Sequence, residues 1–293
     1  MKHGNAMAAP VPIISTARDL LARYPVIFCD VWGVVHNGVR EYTGAGAALE
    51  NYRAHGGKVI LLSNAPVPSS SVARVLDEKG VRRSAWDAIV SSGDITRLHL
   101  KASGYERLHH IGPDRSLPLF DGLTATLSQL EDAHAVVCTG LVDDRGETGE
   151  SYRPLLERAL ARRLPFVCAN PDLVVDVGGQ RFPCAGAVGV VYAAMGGDVY
   201  WAGKPHKPAY DLAFAKADRI IGRSVVPADV LAIGDALATD IAGATAAGID
   251  ALFIAGGIHH DATMDGDRVD EAGLCKLFEN AGASAIAAMA HLT

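Results

Sequence analysis

Short runs of aliphatic and β-branched residues recur along this chain between stretches of helical patterning, and that alternation constrains the fold most. Val26–Val31, Lys58–Ser63, Val230–Gly234 and Ala251–Ile254 are apolar almost throughout. A strand that is apolar at every position, not every second one, is buried on both faces, as in a parallel sheet covered by helices. Between these runs, Ser69–Lys79 carries Val72, Val75 and Leu76 at helical spacing, with serines at its start and Gly80 placed to end it. Pro208–Ile220 has Leu212, Phe214 and Ala215 to pack and Pro208 in its first turn. Asp240–Ala247 stops at Gly248, and Gly243, Ala244 and Gly248 suit close helix packing. Strand and helix in alternation predict an α/β, Rossmann-like doubly wound parallel-sheet core.

The middle of the chain has an alternation of its own. Leu108–Ile111, Ala135–Thr139 and Phe166–Ala169 read as strands, and Tyr152–Arg163 and Gly186–Met195 as helices. This predicts a smaller α/β cap inserted into the core: residues 1–97 core, 98–197 cap, 198–293 core again. The C-terminal stretch reads as helical, with Ala-rich packing near Ala283–Ala290.

At 293 residues and a net charge of −6, with no basic block, the chain is a poor candidate for nucleic acid. Phosphorylated metabolites remain suitable, because a few local dipoles and one cation can bind them. Five cysteines without a CxxC spacing argue for a reducing compartment and against a zinc site. The N-terminal MKHGNAMAAPVPIIS is broken by Pro10 and Pro12 and lacks a signal-peptide core. No run approaches the ~20 apolar residues of a membrane span. A cytoplasmic protein without a membrane partner is expected.

Four segments place polar groups where buried strands end or helices begin: Asp30 in FCDVWGV, Ser63-Asn64 in LLSNAP, Lys204 in GKPHKPAY, and Asp235 with Asp240 in IGDALATDIAGA. In an open parallel sheet, groups at the carboxyl ends of strands converge on one crevice. Their chemistry is mutually consistent. Magnesium takes hard oxygen ligands, one or two carboxylates plus a substrate phosphate. Asp30 and Asp235 can supply those carboxylates, with Asp240 helping through a water or a hydrogen bond. An Asp carboxylate can attack phosphorus and form an aspartyl-phosphate, once Mg²⁺ and an ammonium such as Lys204 offset the repulsion between anions. Ser63 and the backbone N–H groups near Asn64 can hold phosphoryl oxygens.

The order Asp, Ser, Lys, Gly-Asp-x-x-x-Thr-Asp resembles the haloacid dehalogenase-like phosphohydrolases. The details are similar to their class IIA branch of NagD-like sugar phosphatases, nitrophenylphosphatases and pyridoxal phosphate phosphatases. LLSNAP stands where that branch ends a strand in Thr or Ser and then Asn, FVCANPD resembles its cap motif, and GKPHKPAY and GDALATDIAGA match almost residue for residue. The resemblance covers about residues 24–256. It implies a Mg²⁺-dependent phosphatase acting on a small phosphorylated metabolite. Asp30 would be the nucleophile, and the backbone carbonyl of Trp32 a further ligand to the metal. Ser63, Asn64 and Lys204 would hold the phosphoryl group, and Asn170 and Asp172 of the cap would reach the substrate. Caps of that branch often form dimer contacts, so a homodimer stands open.

One residue departs from the pattern. Two positions after the nucleophile, where such phosphatases usually carry a second Asp as acid and base, this chain has Trp32. An indole N–H only donates a weak hydrogen bond, and general acid–base catalysis is worth ~10²–10⁴-fold. His36 is the nearest titratable group able to stand in; the alternative is a surface loop histidine. A protein that keeps the Mg²⁺–phosphate pocket for binding or regulation is therefore the second reading. Other features have plain explanations too. Asp240 could cap a helix. Asn170 and Asp172 could form an Asx turn around Pro171. The pairs His109-His110, Asp143-Asp144 and His259-His260 are expected in solvated loops.

Overall fold

The computed structural model describes residues 11–293. The part of the signal-peptide reading that rests on residues 1–10 lies outside them. In chain order the elements are α1 (Arg18–Leu21), β1 (Val26–Asp30), α2 (Thr43–Ala54), β2 (Lys58–Ser63), α3 (Ser69–Glu78), β3 (Ala88–Ser91) and α4 (Ser92–Ser103). There follow β4 (Arg107–Ile111), β5 (Thr126–Leu127), β6 (Ala135–Cys138), α5 (Arg153–Ala161), β7 (Phe166–Cys168), β8 (Val174–Val177), β9 (Gln180–Pro183), α6 (Ala185–Ala194) and β10 (Val199–Trp201). The last third holds α7 (Lys207–Ile221), β11 (Val230–Gly234), α8 (Ala242–Ala247), β12 (Asp250–Ile254), α9 (His260–Thr263), β13 (Met264–Asp265), β14 (Arg268–Val269), α10 (Glu271–Ala281) and β15 (Ala287–Met289). No helix among the described residues is long and apolar enough to cross a membrane.

The described residues divide into two compact units, 11–61, 79–88 and 216–293 in one and 62–78 and 89–215 in the other. The first is built on parallel strands that lie wholly within it, ordered β15-β12-β11-β1. β1 pairs with β11 in parallel, Val26 opposite Val230 and Cys29 opposite Ile233. Every residue of VIFCD in β1 and VLAIG in β11 is buried. The buried strands accept no polar side chain until their carboxyl ends, which is where Asp30 and Asp235 stand.

The second unit has its own five-stranded parallel sheet, ordered β10-β7-β6-β4-β5. Alternate residues serve its two faces. Val136 and Cys138 pack with Phe166, Leu156 and Tyr192 on one side, while Ala135 and Val137 pack with Leu108, Val167 and Leu100 on the other. α4 is capped at both ends: the Ser91 hydroxyl accepts from the Asp94 N–H at 3.0 Å, and Gly104 closes it in the left-handed region at φ 68°.

Three expectations change. Residues 287–289 form a strand, not a helix. α10 stops at Gly282 (φ 59°), and the small buried side chains of Ala287–Met289 let the segment pair in parallel with β12 as β15. The helix expected over Asp240–Ala247 begins instead as a π turn, Leu237–Ile241, which runs into α8. His109 and His110 are half-buried on β4 rather than in a solvated loop. The β8–β9 hairpin had its own signal, Gly178-Gly179 between VVDV and QRFP, with both glycines at positive φ (62° and 85°).

Candidate active site

In the first unit, three carboxylates meet. Asp30 ends β1, Asp235 follows β11, and Asp240 lies in the π turn. One oxygen from each falls within 4.8 Å of the others, and all three residues are buried. Asp235 is held from two sides. Its Oδ2 accepts the Ile258 N–H at 2.7 Å, and Gly33 and Gly257 leave so little room that a Cβ on either would stand 2.0 Å from that oxygen. Gly33 also has φ 85°, so the turn after Asp30 requires glycine twice over. The Asp240 carboxylate accepts the Ala236 N–H at 3.0 Å, so the π turn folds back on the end of β11. Buried like charges this close repel unless a cation joins them, and an all-oxygen donor set suits a hard divalent ion. The residues fit a site for a hard divalent cation.

The loop after Asp30 is ordered by its own contacts. The Gly33 N–H donates to the His36 carbonyl at 2.8 Å, and the Gly38 N–H donates to His36 Nδ1 at 3.0 Å. The Trp32 indole lies edge-on to the His36 ring, centroids 4.9 Å apart, and so near Gly38 that a Cβ there would come within 2.4 Å of it. His36 is not at the surface. It is buried, and burial, with a smaller repulsion from Lys79, pushes its pKa down to about 4. At neutral pH it is an uncharged hydrogen-bond acceptor for the loop.

In the second unit, Ser63 is half-buried at the end of β2, its hydroxyl accepting the Ala65 N–H at 3.2 Å. Lys204 is buried in the turn between β10 and α7. The Asn64 side chain accepts the Lys204 N–H at 2.8 Å and the Ser92 hydroxyl at 3.3 Å, and donates to the Lys204 carbonyl at 3.1 Å and the Asp172 carboxylate at 2.8 Å. Asn170 accepts the Asp172 N–H at 3.0 Å, which is an Asx turn.

The adjacent pairs have local partners. His109 Nδ1 meets the Ser128 carbonyl at 3.2 Å, and His110 Nε2 meets the Thr139 hydroxyl at 2.8 Å, with burial pushing the His110 pKa down to about 4. Asp144 pairs with Arg115 at 2.7 Å, and Asp143 accepts the Arg145 N–H. His259 receives the Leu237 N–H at 3.4 Å, whereas His260 is exposed at the start of α9. Residue patterns alone did not point to the Ile258 N–H, Gly257 or Ser92. The first is a backbone group with no side-chain signature, and the other two matter only through neighbours distant in sequence.

A solved hydrolase of the haloacid dehalogenase-like family from Brucella suis 1330 superposes with a TM-score of 0.85 at 42% identity, over 96% of this chain and 100% of that one. The chain belongs to the haloacid dehalogenase-like hydrolases. Within it, residues 27–124 match the haloacid dehalogenase-like hydrolase model and 201–275 a second, HAD-hydrolase-like model. A D-glycerol 3-phosphate phosphatase of Mycobacterium tuberculosis (strain ATCC 25618 / H37Rv) is 27% identical over 252 residues, covering 83% of this chain but only 66% of that protein. A glycerol phosphate phosphatase from Mycobacterium tuberculosis, solved in complex with calcium, has the same fold at a TM-score of 0.62 and 23% identity, over 88% of this chain and 77% of that one.

Proposed function

We propose that this member of the family is a Mg²⁺-dependent phosphatase of small phosphorylated metabolites that works through an aspartyl-phosphate on Asp30. The observation that carries this reading is the trio of buried carboxylates, with oxygens within 4.8 Å of one another, in a chain of this family. Asp30, Asp235 and the Trp32 carbonyl would hold the ion, and Asp240 would steady it from behind. Bound there, Mg²⁺ offsets the charge of a phosphoryl oxygen. The chain's own residues do the rest. Asp30 attacks phosphorus and the alkoxide departs. Ser63, the Asn64 backbone N–H and the Lys204 ammonium hold the phosphoryl oxygens as charge moves onto them. Water then cleaves the aspartyl-phosphate and frees inorganic phosphate. We assign substrate selection to the inserted segment 98–197. We place the protein in the cytoplasm, in keeping with five free cysteines, four of them buried.

A second reading has an observation of its own. Trp32 is seated against Gly38 and His36, and His36 is neutral at pH 7. An indole N–H and a neutral imidazole N–H are both very weak acids, which favours a slow enzyme or a regulatory phosphometabolite binder. Phosphate release from a panel of phosphorylated metabolites and p-nitrophenyl phosphate, with Mg²⁺ or EDTA, separates the two. Mg²⁺-dependent release that disappears in Asp30→Asn supports the phosphatase. Binding with Mg²⁺ but no release supports the binder.

A further inference from the structure

We infer that the Asn64 side chain is the positioning residue for Lys204 rather than a contact to the phosphoryl group. The inference rests on the role proposed above for Lys204. A primary amide has two donor hydrogens and an oxygen with two lone pairs. All four capacities of Asn64 are filled within the protein: two acceptor bonds, from the Lys204 N–H and Ser92 Oγ, and two donor bonds, to the Lys204 carbonyl and Asp172 Oδ1. Nothing in the side chain is left for a phosphoryl oxygen. The partners also fix which end of the amide is which, because the Lys204 N–H can only donate and the Asp172 carboxylate can only accept.

The consequence is a clamp. One side chain, itself 6% exposed, grips both the N–H and the C=O of Lys204, which is 5% exposed. The residue before it is locked as well. Gly203 has φ 157°, and a Cβ there would stand 2.2 Å from Ser92 Oγ and 2.5 Å from Asn64 Oδ1. Lysine carries its charge on a flexible four-carbon stem, so the placement of its ammonium depends on a fixed origin at Cα. The clamp supplies that origin. Its other end is Asp172, whose own N–H is held by Asn170. The Asn170–Asp172 turn and the Lys204 backbone are thus joined through a single amide, and a shift of the turn is transmitted to Lys204.

Kinetics and amide exchange test this together. With Mg²⁺ and p-nitrophenyl phosphate, Asn64→Ala is expected to lower kcat/KM about 10²-fold, the effect of a reacting or binding group displaced by about 1 Å. In a Lys204→Ala background the same substitution should change the rate by less than about twofold, because two changes acting through one group do not add. Asn64→Asp removes both donors and sets two carboxylates face to face, and Asp172→Asn in the same chain restores a donor at that contact. The double variant should therefore recover part of the activity lost in Asn64→Asp. Independently of activity, the Lys204 amide should exchange its hydrogen faster in Asn64→Ala than in the unsubstituted chain.

Additive losses from Asn64→Ala and Lys204→Ala, or unchanged exchange at Lys204, overturn the positioning role and leave the phosphatase reading intact. An unsubstituted chain that releases no phosphate from any substrate refutes the phosphatase reading, and the role of Lys204 with it. If Asn64→Ala does not fold, Asn64→Asp against the double variant decides the matter, and failure of Asp172→Asn to restore activity counts against the clamp.

Discussion

Gly257→Ala tests the metal site through packing alone, without touching a carboxylate. The added methyl carbon would begin 2.0 Å from Asp235 Oδ2 and 2.5 Å from its Cγ, where ordinary contact starts at 3.4 Å. The two groups must therefore part by about 1.4 Å, against a tolerance of about 0.2 Å in metal–ligand distances. A shift of Asp235 would loosen its 2.7 Å bond to the Ile258 N–H. Overpacking of this kind costs about 2 kcal/mol, or roughly 4–8 °C in Tm. The Mg²⁺ concentration giving half-maximal phosphate release should rise about 10–100-fold, the usual consequence of disturbing the support of a metal ligand. The assay is a Mg²⁺ titration of p-nitrophenyl phosphate hydrolysis, alongside calorimetric metal binding and a melting curve. A folded Gly257→Ala protein with the Mg²⁺ midpoint of the unsubstituted chain would refute Asp235 as a ligand in this packing.

Other substitutions probe separate features. Gly46→Ala, inside α2 with nothing nearer its added carbon than Glu41 Oε2 at 3.8 Å, should stabilise by about 0.5–1 kcal/mol and leave the Mg²⁺ midpoint alone; a lower Tm would contradict it. His36 has its folded pKa depressed to about 4 against 6.5 unfolded, so between those values the unfolded chain binds more protons. Its contribution is complete above pH 6.5 and lost as pH falls towards 4, about 3 kcal/mol in all. His36→Asn should flatten that part of the urea-midpoint profile, and identical slopes in both proteins would exclude His36 as the cause. Trp32→Asp should raise turnover of an alkyl phosphate at least about tenfold, given the worth of a general acid, and raise it less for p-nitrophenyl phosphate, whose leaving group needs little protonation. The same change should lower Tm, since the indole no longer packs against Gly38 and His36; an unchanged alkyl phosphate rate would mean that another group transfers the proton.

What was legible in the sequence depended on whether its cause was local. β2 and β11 stand where unbroken apolar runs placed them, because burial on both faces leaves a continuous signature. Asp30, Asp235 and Asp240 were legible as carboxylates at or just beyond strand ends, and the structure brings these three together. β15 was not, since Ala-Ala-Met favours helix in isolation and becomes a strand only through its pairing with β12. The burial of His36 escaped notice because a loop fold, not an apolar neighbour in sequence, encloses it. The use made of Asn64 was equally hidden, its four bonds reaching residues 92, 172 and 204.

The parallel pairing of β1 with β11 also sets a timetable for synthesis. Cys29 waits for Ile233, and at about 5–20 residues per second that interval lasts roughly 10–40 s. Throughout it, the Val-Ile-Phe-Cys run of β1 is a strand-forming apolar segment without its later neighbour, the kind of stretch on which nascent chains associate. The continuous segment 89–215 meanwhile contains all five strands of its own sheet and can close it before β11 emerges. Substitutions that slow that closure, or heat that speeds association, should therefore show first as lost soluble yield rather than as lost activity of the molecules that fold.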